Sequence, residues 1–411
     1  MTLGLVVQKF GGTSVGSAER ILHVAERVME EKNRGNDVVV VVSAMGKTTD
    51  SLVTLANEIN PKPSKREMDV LLSTGEQITI SLLSMALQAK GVDAISYTGW
   101  QAGIETEDVH GNARILNMQT EKVQKQIQDG KVVIVAGFQG VTEAGDITTL
   151  GRGGSDTTAV AIAAALKADK CDIYTDVTGV FTTDPRFVKN ARKLLAISYD
   201  EMLELANLGA GVLHPRAVEY AKNYQVPLVV RSSMEQEEGT IIEEEVSMEQ
   251  NLIVRGVAFE DNITSVTVFG LKNPLTSLST IFTTLASHHI NVDIIIQSLT
   301  NDQLTNLSFS IKDSDLEETL KVLEENKSVL GYDKVTSEQG LAKVSIVGSG
   351  MISNPGVAAD MFKVLSAEEI VIKMVSTSEI KVSTVIEKEN MVKAVETLHD
   401  AFELSKIPVN A

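Results

Sequence analysis

Cysteine is almost absent from this sequence, with Cys171 as the only one among 411 residues. One thiol excludes an intrachain disulfide and a metal cluster held by thiolates, and it fits a reducing compartment. Long apolar runs are missing too. No stretch approaches the roughly 18 apolar residues of a membrane span, and the apolar start at residues 3–7 is too short for a signal peptide. The sequence therefore predicts a cytoplasmic protein without a membrane partner.

Positive charge and aromatic residues are also scarce. Lys and Arg number 37 against 55 Asp and Glu, which gives a formal charge of -18, and aromatic residues make up 4%. Such acidity disfavours nucleic acid and anionic membranes as partners, and no basic patch offsets it. Hydrophobic residues are plentiful, at 43%. The length suits one domain of about 250 residues with one or two small ones.

Apolar, β-branched runs alternate with amphipathic stretches in the first half of the chain. The apolar runs lie at 3–10, 38–45, 92–98, 131–138 and 171–177. The amphipathic stretches include 17–32, 65–90 and 156–167. This alternation predicts an α/β fold, with buried parallel strands and helices on both faces of an open sheet. In such sheets ligands bind at the carboxyl ends of the strands.

The second half is predicted to contain an internal repeat. Acidic residues crowd at 234–250, which we interpret as the end of a first domain covering residues 1–245. Residues 264–338 then follow the order strand, helix, strand, strand, helix, strand, a complete βαββαβ unit. A second copy, at 343–411, lacks its fourth strand, which residues 251–260 can supply. The prediction is one small domain inserted into another.

The first strand ends in KFGGTSV at residues 9–15, and a helix is predicted to follow. Gly11 and Gly12 allow backbone N–H groups to approach an anion, and a helix N-terminus adds a favourable dipole. Lys9 supplies the positive charge that a triphosphate needs in an acidic protein. The alternative is an ordinary strand-to-helix turn.

A second motif, SAMGKTTD at residues 43–50, contains the sequence Gly-Lys-Thr. It is not a Walker loop, because that motif needs glycine where this chain has Val41. The hydroxyls of Ser43, Thr48 and Thr49 suit a polar ligand, although a plain turn explains them equally well. Glu76 lies in an apolar helical stretch. It is either solvated or, if buried, paired with a cation such as a substrate ammonium.

The strongest local signal is TTLGRGGSDTTA at residues 148–159. Arg152 can hold a carboxylate through two N–H groups, the glycine amides can face phosphate oxygens, and Asp156 lies at the start of a helix. In the alternative interpretation, Ser155 or Asp156 only caps that helix.

The segment CDIYTDVTGVFTTDPR, at residues 171–186, is a predicted strand followed by turns. Thr175, Asp176, Phe181 and Arg186 are placed to frame a nucleotide base and its phosphates. Taken alone, Asp-Pro-Arg is more often a turn than a site.

The chain resembles aspartate kinases, because the family's signature motifs occur in order. They are KFGGTSV, SAMGKTTD, Gly75-Glu76, GFQG at 137–140, LGRGGSD and YTDVTGVFTTDPR. The resemblance covers essentially the whole chain. It implies the three-layer α/β/α sandwich of amino acid kinases followed by two ferredoxin-like ACT domains, one inserted in the other. That arrangement agrees with the repeat predicted above.

The resemblance also implies roles for the motif residues. Those implied in ATP binding are Lys9, Phe10, Gly11, Gly12, Thr175, Asp176, Phe181 and Arg186. Those implied in binding L-aspartate are Ser43, Thr49, Glu76, Arg152, Gly153, Gly154 and Ser155. Lys9 and Asp156 are implied in catalysis. The implied cofactors are ATP and Mg²⁺, with no residue assigned as a metal ligand.

The implied reaction phosphorylates the side-chain carboxylate of aspartate with MgATP, the first step towards lysine, threonine, methionine and diaminopimelate. That carboxylate is ionised near pH 7, so no general base is needed. Repulsion between two anions is the obstacle, and we expect positioning and charge screening by Lys9, Mg²⁺ and backbone amides to overcome it. Two alternatives stay open, another amino acid kinase such as one acting on glutamate, and an amino-acid sensor without activity.

Regulation by an end-product amino acid is expected from the ACT-like repeat. The first copy reads GLKNPLTSL at 270–278, a departure from the family pattern, whereas the second keeps Asn354-Pro355-Gly356. Asn273, Asp293 and Asn354 are the predicted contacts for lysine, threonine or both. Exposed edge strands predict a homo-oligomer. An internal start at Met248 would instead supply a small subunit of residues 248–411.

Overall fold

The structure is a computed structural model that describes residues 4–209, 211–244, 253–271, 276–299 and 304–406. The chain divides into two compact units. The first unit comprises Met1–Phe181, Lys193–Asn207 and Gly211–Gln250. The second comprises Thr182–Arg192, Leu208–Ala210 and Asn251–Ala411.

The first unit is built on an eight-stranded sheet. Its strands are β1 (Leu5–Phe10), β2 (Asp37–Val42), β3 (Ala94–Tyr97), β6 (Val132–Ala136), β9 (Lys170–Thr175), β10 (Ala196–Ser198), β11 (Leu228–Ser232) and β12 (Thr240–Glu243). They lie in the order β10-β12-β11-β9-β1-β2-β6-β3, and every pairing is parallel except that of β11 with β12. The parallel strands of the sequence prediction are therefore present.

A second, four-stranded sheet of the first unit was not predicted from the sequence. It consists of β4 (Ile104–Thr106), β5 (Ile115–Met118), β7 (Gln139–Val141) and β8 (Ile147–Thr149), in the order β5-β4-β7-β8. Strands of three or four residues are too short to show a clear period of two.

Helices cover both faces of the main sheet. They are α1 (Ala18–Asn33), α2 (Thr48–Ile59), α3 (Lys65–Ala89), α4 (Glu121–Gln128), α5 (Gly154–Leu166), α6 (Tyr199–Asn207) and α7 (Pro215–Tyr224). The alternate valines Val38, Val40 and Val42 of β2 belong to the core formed with α1 and α3. The intervening Val39 and Val41 are also fully buried, on the opposite face. Burial on both faces explains why β2 is a continuous run of valine.

Helix α3 is long and apolar enough to cross a membrane by length and composition alone. Its buried positions, however, include Ile80, Leu83 and Leu87, which belong to the core of the first unit. That burial is typical of a core helix.

The second unit contains one six-stranded antiparallel sheet in the order β14-β15-β13-β16-β18-β17. Its strands are β13 (Gly256–Leu271), β14 (Ile295–Leu299), β15 (Thr305–Lys312), β16 (Lys334–Val347), β17 (Ile372–Thr377) and β18 (Lys381–Glu387). Its helices are α8 (Ser277–Ser287), α9 (Leu316–Glu325), α10 (Lys327–Leu330), α11 (Val357–Ala367) and α12 (Met391–Ala401).

The two predicted repeats share strands β13 and β16. Residues 256–259 and 264–270, from segments predicted as separate strands at 252–259 and 264–270, lie in one strand, whose pairing with β16 shifts between Glu260 and Ser265. Separate hydrophobic clusters lie on either side of this shift, one around Phe309 and Leu285 and the other around Met361 and Leu398. The shift in register lets one sheet serve two cores.

The segment Thr182–Arg192 packs within the second unit, although the predicted first domain of residues 1–245 includes it. Val188 is 2% exposed in the cluster around Leu398. The Val257 N–H donates to the Thr182 carbonyl at 2.8 Å. The Thr182 hydroxyl lies 2.9 Å from Nε2 of His399, a fully buried ring. The last residues of the predicted nucleotide motif, from Thr182 onwards, thus pack with the second unit's core.

Candidate active site

The carboxyl ends of four adjacent strands, β9, β1, β2 and β6, bring the glycine-containing motifs together. Three backbone hydrogen bonds join the loops that follow them, from Gly11 N to Tyr174 O at 3.3 Å, from Ser43 N to Phe10 O at 3.1 Å, and from Gly137 N to Val42 O at 3.0 Å. A fourth, from Gly46 N to Gly12 O at 2.9 Å, ties KFGG directly to SAMG. Segments more than 100 residues apart in sequence thereby form one edge, where an open α/β sheet binds its ligands.

Lys9 and Asp156 form an ion pair at this edge. Nζ of Lys9, on β1, lies 2.6 Å from Oδ1 of Asp156, in the first turn of α5, and their side chains are only 11% and 13% exposed. Low exposure strengthens an ion pair because little water screens it. The two residues implied in catalysis are therefore in contact, with the lysine charge held beside a helix N-terminus.

Glu76 is buried beneath the SAMG turn. Its side chain is 3% exposed, and Oε1 accepts a 3.0 Å hydrogen bond from the Ala44 N–H. Oε2 is also buried and has no hydrogen-bond partner among the described residues. Burial raises the pKa of Glu76 to about 7, against the opposing effect of the backbone hydrogen bonds. A buried carboxylate oxygen without a donor suits a cationic ligand group.

Arg152 lies on the turn that leads into α5. It is exposed, and no ion pair or hydrogen bond joins its guanidinium to the part of the chain that the structure describes. Gly153 follows with a φ of 67°, and a Cβ there would lie 2.1 Å from the His214 ring. Only glycine fits this position. Arg152 is thus presented by a turn whose backbone is tightly packed.

Ser43, Thr49 and Ser155, the hydroxyl residues implied in aspartate binding, are partly or fully buried. Ser155 packs against Gly137, where a Cβ would lie 2.8 Å from the serine Cβ. Gly154 begins α5 and packs against Phe138. These contacts keep side chains small around the carboxyl ends of β2 and β6.

The nucleotide residues fall in both units. Thr175 ends β9, and its hydroxyl donates to Asp176 at 3.1 Å. Phe181 closes an isolated bridge with Lys193. Arg186 belongs to the second unit and pairs with Asp184, at 2.6 Å from NH2 to Oδ2. The hydrogen bonds from Arg186 hold the pKa of Asp184 below its usual value. The structure thus places Thr175, Asp176 and Phe181 with Lys9 in one unit.

Of the predicted effector residues, Asp293 and Asn354 lie in the second unit, and Asn273 is outside the described residues. The predicted internal start at Met248 is outside them too. Asp293 forms an ion pair with Lys343, which also lies 3.0 Å from Glu260. Burial alone would lower the pKa of Lys343, but the two carboxylates outweigh it and raise that pKa. Asn354 is exposed, with Nδ2 donating to Gly350 O at 2.8 Å.

Residues that the sequence analysis did not select also shape this site. His214 caps α7, its Nδ1 accepting from the Arg216 N–H, and burial with the nearby Arg216 lowers the pKa of His214. Arg216 donates to Leu150 O at 2.8 Å. The only sequence signal is His-Pro at a helix start, which predicts a cap and no contact with Gly153.

Family models agree with this architecture. The model of the amino acid kinase family matches residues 4–232, and a model of the ACT domain matches residues 344–402. The fold is therefore that of an amino acid kinase with a C-terminal ACT region.

Named relatives identify the family within the amino acid kinases. The chain is 77% identical to an aspartokinase of Bacillus sp. (strain MGA3) over 98% of both chains, and 71% identical to aspartokinase 2 of Bacillus subtilis over 99% of both. A crystal structure of E. coli aspartokinase III with aspartate and ADP matches with a TM-score of 0.82 and 27% identity, over 97% of this chain and 99% of that one. The chain belongs to the aspartokinase family. The expected family, fold class and enzyme class are confirmed.

Proposed function

We propose that this enzyme transfers the γ-phosphoryl group of MgATP to the β-carboxylate of L-aspartate, which gives 4-phospho-L-aspartate and ADP. The observation that carries the proposal is that one sheet edge holds two groups of opposite charge, Lys9 and Glu76, each suited to a different ligand. Lys9 supplies buried positive charge for a phosphoryl group, and Glu76 offers a buried carboxylate oxygen without a donor for an ammonium. An amino acid supplies the ammonium for Glu76, and a triphosphate supplies the phosphoryl group for Lys9.

The aspartate is held by groups of opposite charge. Arg152, free of protein partners among the described residues, binds the α-carboxylate through two N–H groups. Glu76 accepts the ammonium, which completes the hydrogen bonding of its buried oxygen. Ser43, Thr49 and Ser155 supply hydroxyls, with the amides of Gly153 and Gly154 near them. Fixing both ends of the amino acid leaves the β-carboxylate as the group that can reach ATP.

In the chemical step, a β-carboxylate oxygen forms a bond to the γ-phosphorus, and the bond to the bridging oxygen breaks. ADP leaves with that electron pair. No proton is removed from the nucleophile, since the carboxylate is already ionised. Lys9 screens the approaching negative charges, and Asp156 holds the lysine ammonium in place. Gly11 and Gly12, with Phe10, Thr175, Asp176 and Phe181, bind the nucleotide. The role of Arg186 in nucleotide binding, on the second unit, stays a prediction.

Mg²⁺ fits this site as an ion carried by the nucleotide. Among the described residues no group of three or more His, Cys, Asp or Glu side chains is arranged to hold a metal ion. Mg²⁺ typically binds one or two carboxylates together with substrate phosphates. Asp156 and Asp176 would supply those carboxylates, and the ion, when bound, would neutralise phosphate charge.

Release of ADP in the presence of aspartate, glutamate or no amino acid tests the proposal. We expect release that depends on both aspartate and Mg²⁺, with glutamate a poor substrate. Equal rates with glutamate would favour the alternative amino acid kinase. No release with either would favour a sensor without activity.

We also propose that the C-terminal ACT domains, at 264–338 and at 251–260 with 343–411, bind lysine, threonine or both and inhibit the enzyme. The reaction would then begin the biosynthesis of lysine, threonine, methionine and diaminopimelate, in the cytoplasm. Strand β14 is exposed along its whole length at one edge of the sheet. A second copy, or a small subunit of residues 248–411, can cover such an edge.

Two fragments test this regulatory proposal. A fragment of residues 248–411 keeps all of β13, whereas one of residues 261–411 loses Gly256 to Glu260 and their pairing with β16. We expect the longer fragment to be more stable, to dimerise and to bind one of the amino acids in calorimetry. Equal stabilities, or a longer fragment that is monomeric and binds neither, would refute it. Both fragments lack Val188, so both should be less stable than the unit in the full chain.

A further inference from the structure

Asp69 is a buried carboxylate that the proposed reaction does not use. It lies on α3, it is 1% exposed, and three donors point at it. Oδ2 accepts from Nδ1 of His110 at 2.8 Å and from the Gly111 N–H at 3.0 Å, and Oδ1 accepts from the Thr149 hydroxyl at 2.6 Å. Asp69, His110, Gly111 and Thr149 are called the Asp69 cluster below. Hydrogen bonds to an ionised acceptor are short and strong, so this carboxylate firmly joins α3 to two loops.

One of the loops held by the Asp69 cluster leads directly to Arg152. Thr149 ends β8, and its carbonyl accepts from the Ala113 N–H at 2.9 Å. Gly151, with a φ of 76°, leaves room for the other loop, because a Cβ there would lie 2.8 Å from Oδ1 of Asn112. The turn that carries Arg152 therefore rests on residues 110–113, which Asp69 holds through its contacts with the first two of them.

Arg216 fixes the same two loops from a second helix. NH1 donates to Leu150 O at 2.8 Å and to Ala113 O at 3.2 Å, and NH2 donates to Asn112 Oδ1 at 2.7 Å. Arg152 itself has no protein partner within the described ranges. Its position is consequently set by the backbone of its turn, which is held from α3 on one side and from α7 on the other.

Asp69 and Glu76 lie seven residues apart on α3, and both are buried. Seven residues make about two turns, so the two carboxylates share a helix face about 10 Å apart along the axis. Glu76 is the proposed contact for the substrate ammonium, and Arg152 is the proposed contact for its α-carboxylate. One rigid helix thereby fixes both ends of the amino acid relative to each other.

We propose that Asp69 is a positioning residue that sets the place of Arg152 relative to Glu76, and thereby the preference for a four-carbon over a five-carbon amino acid. This inference rests on the proposed function. The reason is geometric. If the turn that carries Arg152 shifts relative to α3, Arg152 moves, whereas Glu76, the other proposed substrate contact, stays in place on α3. Discrimination of one methylene is typically about 10- to 200-fold, so a small shift can remove much of it.

The test compares Asp69→Asn with the wild type and with Asp146→Asn. The Asp69→Asn change keeps the size of the side chain but removes its charge. With the new NH₂ group towards Thr149, whose hydroxyl can turn to accept, the contacts with His110, Gly111 and Thr149 become neutral hydrogen bonds, which are weaker than charge-assisted ones. Asp146→Asn is a matched control, because Asp146 also pairs with α3, through Arg66, but at the exposed surface. Thr149→Val is a milder second variant that removes one donor and leaves Asp69 and His110 in place.

For Asp69→Asn we expect the KM for aspartate to rise about tenfold, a change typical of losing a charge-assisted contact. The KM for ATP should stay within about twofold, and the ratio of kcat/KM for aspartate to that for glutamate should fall. Thr149→Val should show a smaller change in the same direction, and Asp146→Asn none.

Other outcomes overturn the inference. A variant with lower Tm but an unchanged aspartate-to-glutamate ratio would make Asp69 merely structural, as would equal losses for both substrates. If Asp69→Asn does not fold, Thr149→Val decides on the same ratio. A wild type without aspartate-dependent ADP release would instead refute the proposed function itself, so the two failures are distinguishable.

Discussion

The charged groups singled out in the two units of this protein have different surroundings. In the first unit, Glu76 keeps a buried oxygen without a hydrogen-bond partner, and the exposed Arg152 has no hydrogen bond or ion pair from its guanidinium to the described residues. In the second unit, buried Lys343 lies between two carboxylates, and the ring of His399 contacts Thr182. A buried carboxylate oxygen without a donor costs stability, so Glu76, together with an arginine that has no ion pair of its own, indicates a site that a ligand completes. In the second unit, Lys343 instead pairs with carboxylates where the two repeats meet, and His399 contacts the segment Thr182–Arg192.

The sheets of the two units also differ in which of their parts are left uncovered. The parallel sheet of the first unit is covered on both faces, so its free positions are the strand ends, where loops converge. The antiparallel sheet of the second unit leaves β14 exposed at its edge. The first architecture favours a catalytic cleft, and the second favours association along an edge.

The largest effect is expected for Lys9→Ala in the first unit. Loss of a largely buried charge that we propose to contact the reacting phosphate should lower kcat by at least about a hundredfold, while the fold is retained. Steady-state ADP release and a thermal unfolding curve measure the two properties. Lys65→Ala, which removes an exposed lysine at the start of α3, is the control. Near-normal turnover in Lys9→Ala would exclude the proposed site.

The fold could be predicted from sequence where long apolar periodic segments dominate. Strand β2 and helices α1, α3 and α5 lie within about two residues of their expected starts, because burial on one or both faces fixes their patterns. The predicted strands at 252–259 and 264–270 are joined in one strand from Gly256 onwards, with an irregularity at Asn262, whose φ is 61°, where the register with β16 changes. Sequence periodicity cannot show that continuity.

The site was predictable only in part. Lys9, Glu76 and Asp156 lie in motifs whose residue types suggest their chemistry. Asp69 and Arg216 carry no such signal, since they act on loops 41 or more residues away and their partners are backbone groups and ordinary polar side chains. Contacts of that kind follow from the tertiary structure alone.

The second effect, also in the first unit, concerns Glu76→Gln. Without the carboxylate, the ammonium of aspartate loses a charged partner, and the KM for aspartate should rise about thirtyfold, with the KM for ATP nearly unchanged. Glu58→Gln, at an exposed position on α2, is the matched control. An unchanged KM for aspartate with a raised KM for ATP would mean that Glu76 serves the nucleotide.

The pH dependence sharpens this test. Burial raises the pKa of Glu76 to about 7, and only the ionised form attracts an ammonium. The KM for aspartate should fall as the pH rises through that value in the wild type, and not in Glu76→Gln. The raised pKa also means that ionisation destabilises the fold without substrate. Glu76→Gln should therefore be more stable than the wild type above about pH 7, and not below about pH 4.5.

The third effect probes the segment that joins the second unit's core. Val188→Ala removes two buried methyl groups and should lower stability by about 1–2 kcal/mol. In hydrogen–deuterium exchange, protection should fall in α12 and β16 rather than in β2. Val329→Ala, at a position 73% exposed, should change neither. Loss of protection confined to β2 and β1 would contradict the assignment of Thr182–Arg192 to the second unit.

The smallest effect concerns His399 and the loss of the second unit's stability in acid. Burial lowers the pKa of this histidine, so the folded second unit keeps it neutral. In the unfolded chain the ring takes up a proton below about pH 6.5, so stability is full above that pH and is lost as the pH falls through it. The stability of the wild type against thermal unfolding should therefore fall more steeply towards about pH 5 than that of His399→Gln. His288→Gln, which changes an exposed histidine of the same unit, should keep the wild-type slope. If His399→Gln keeps that slope as well, the acid sensitivity arises elsewhere, and the contact with Thr182 has no part in it.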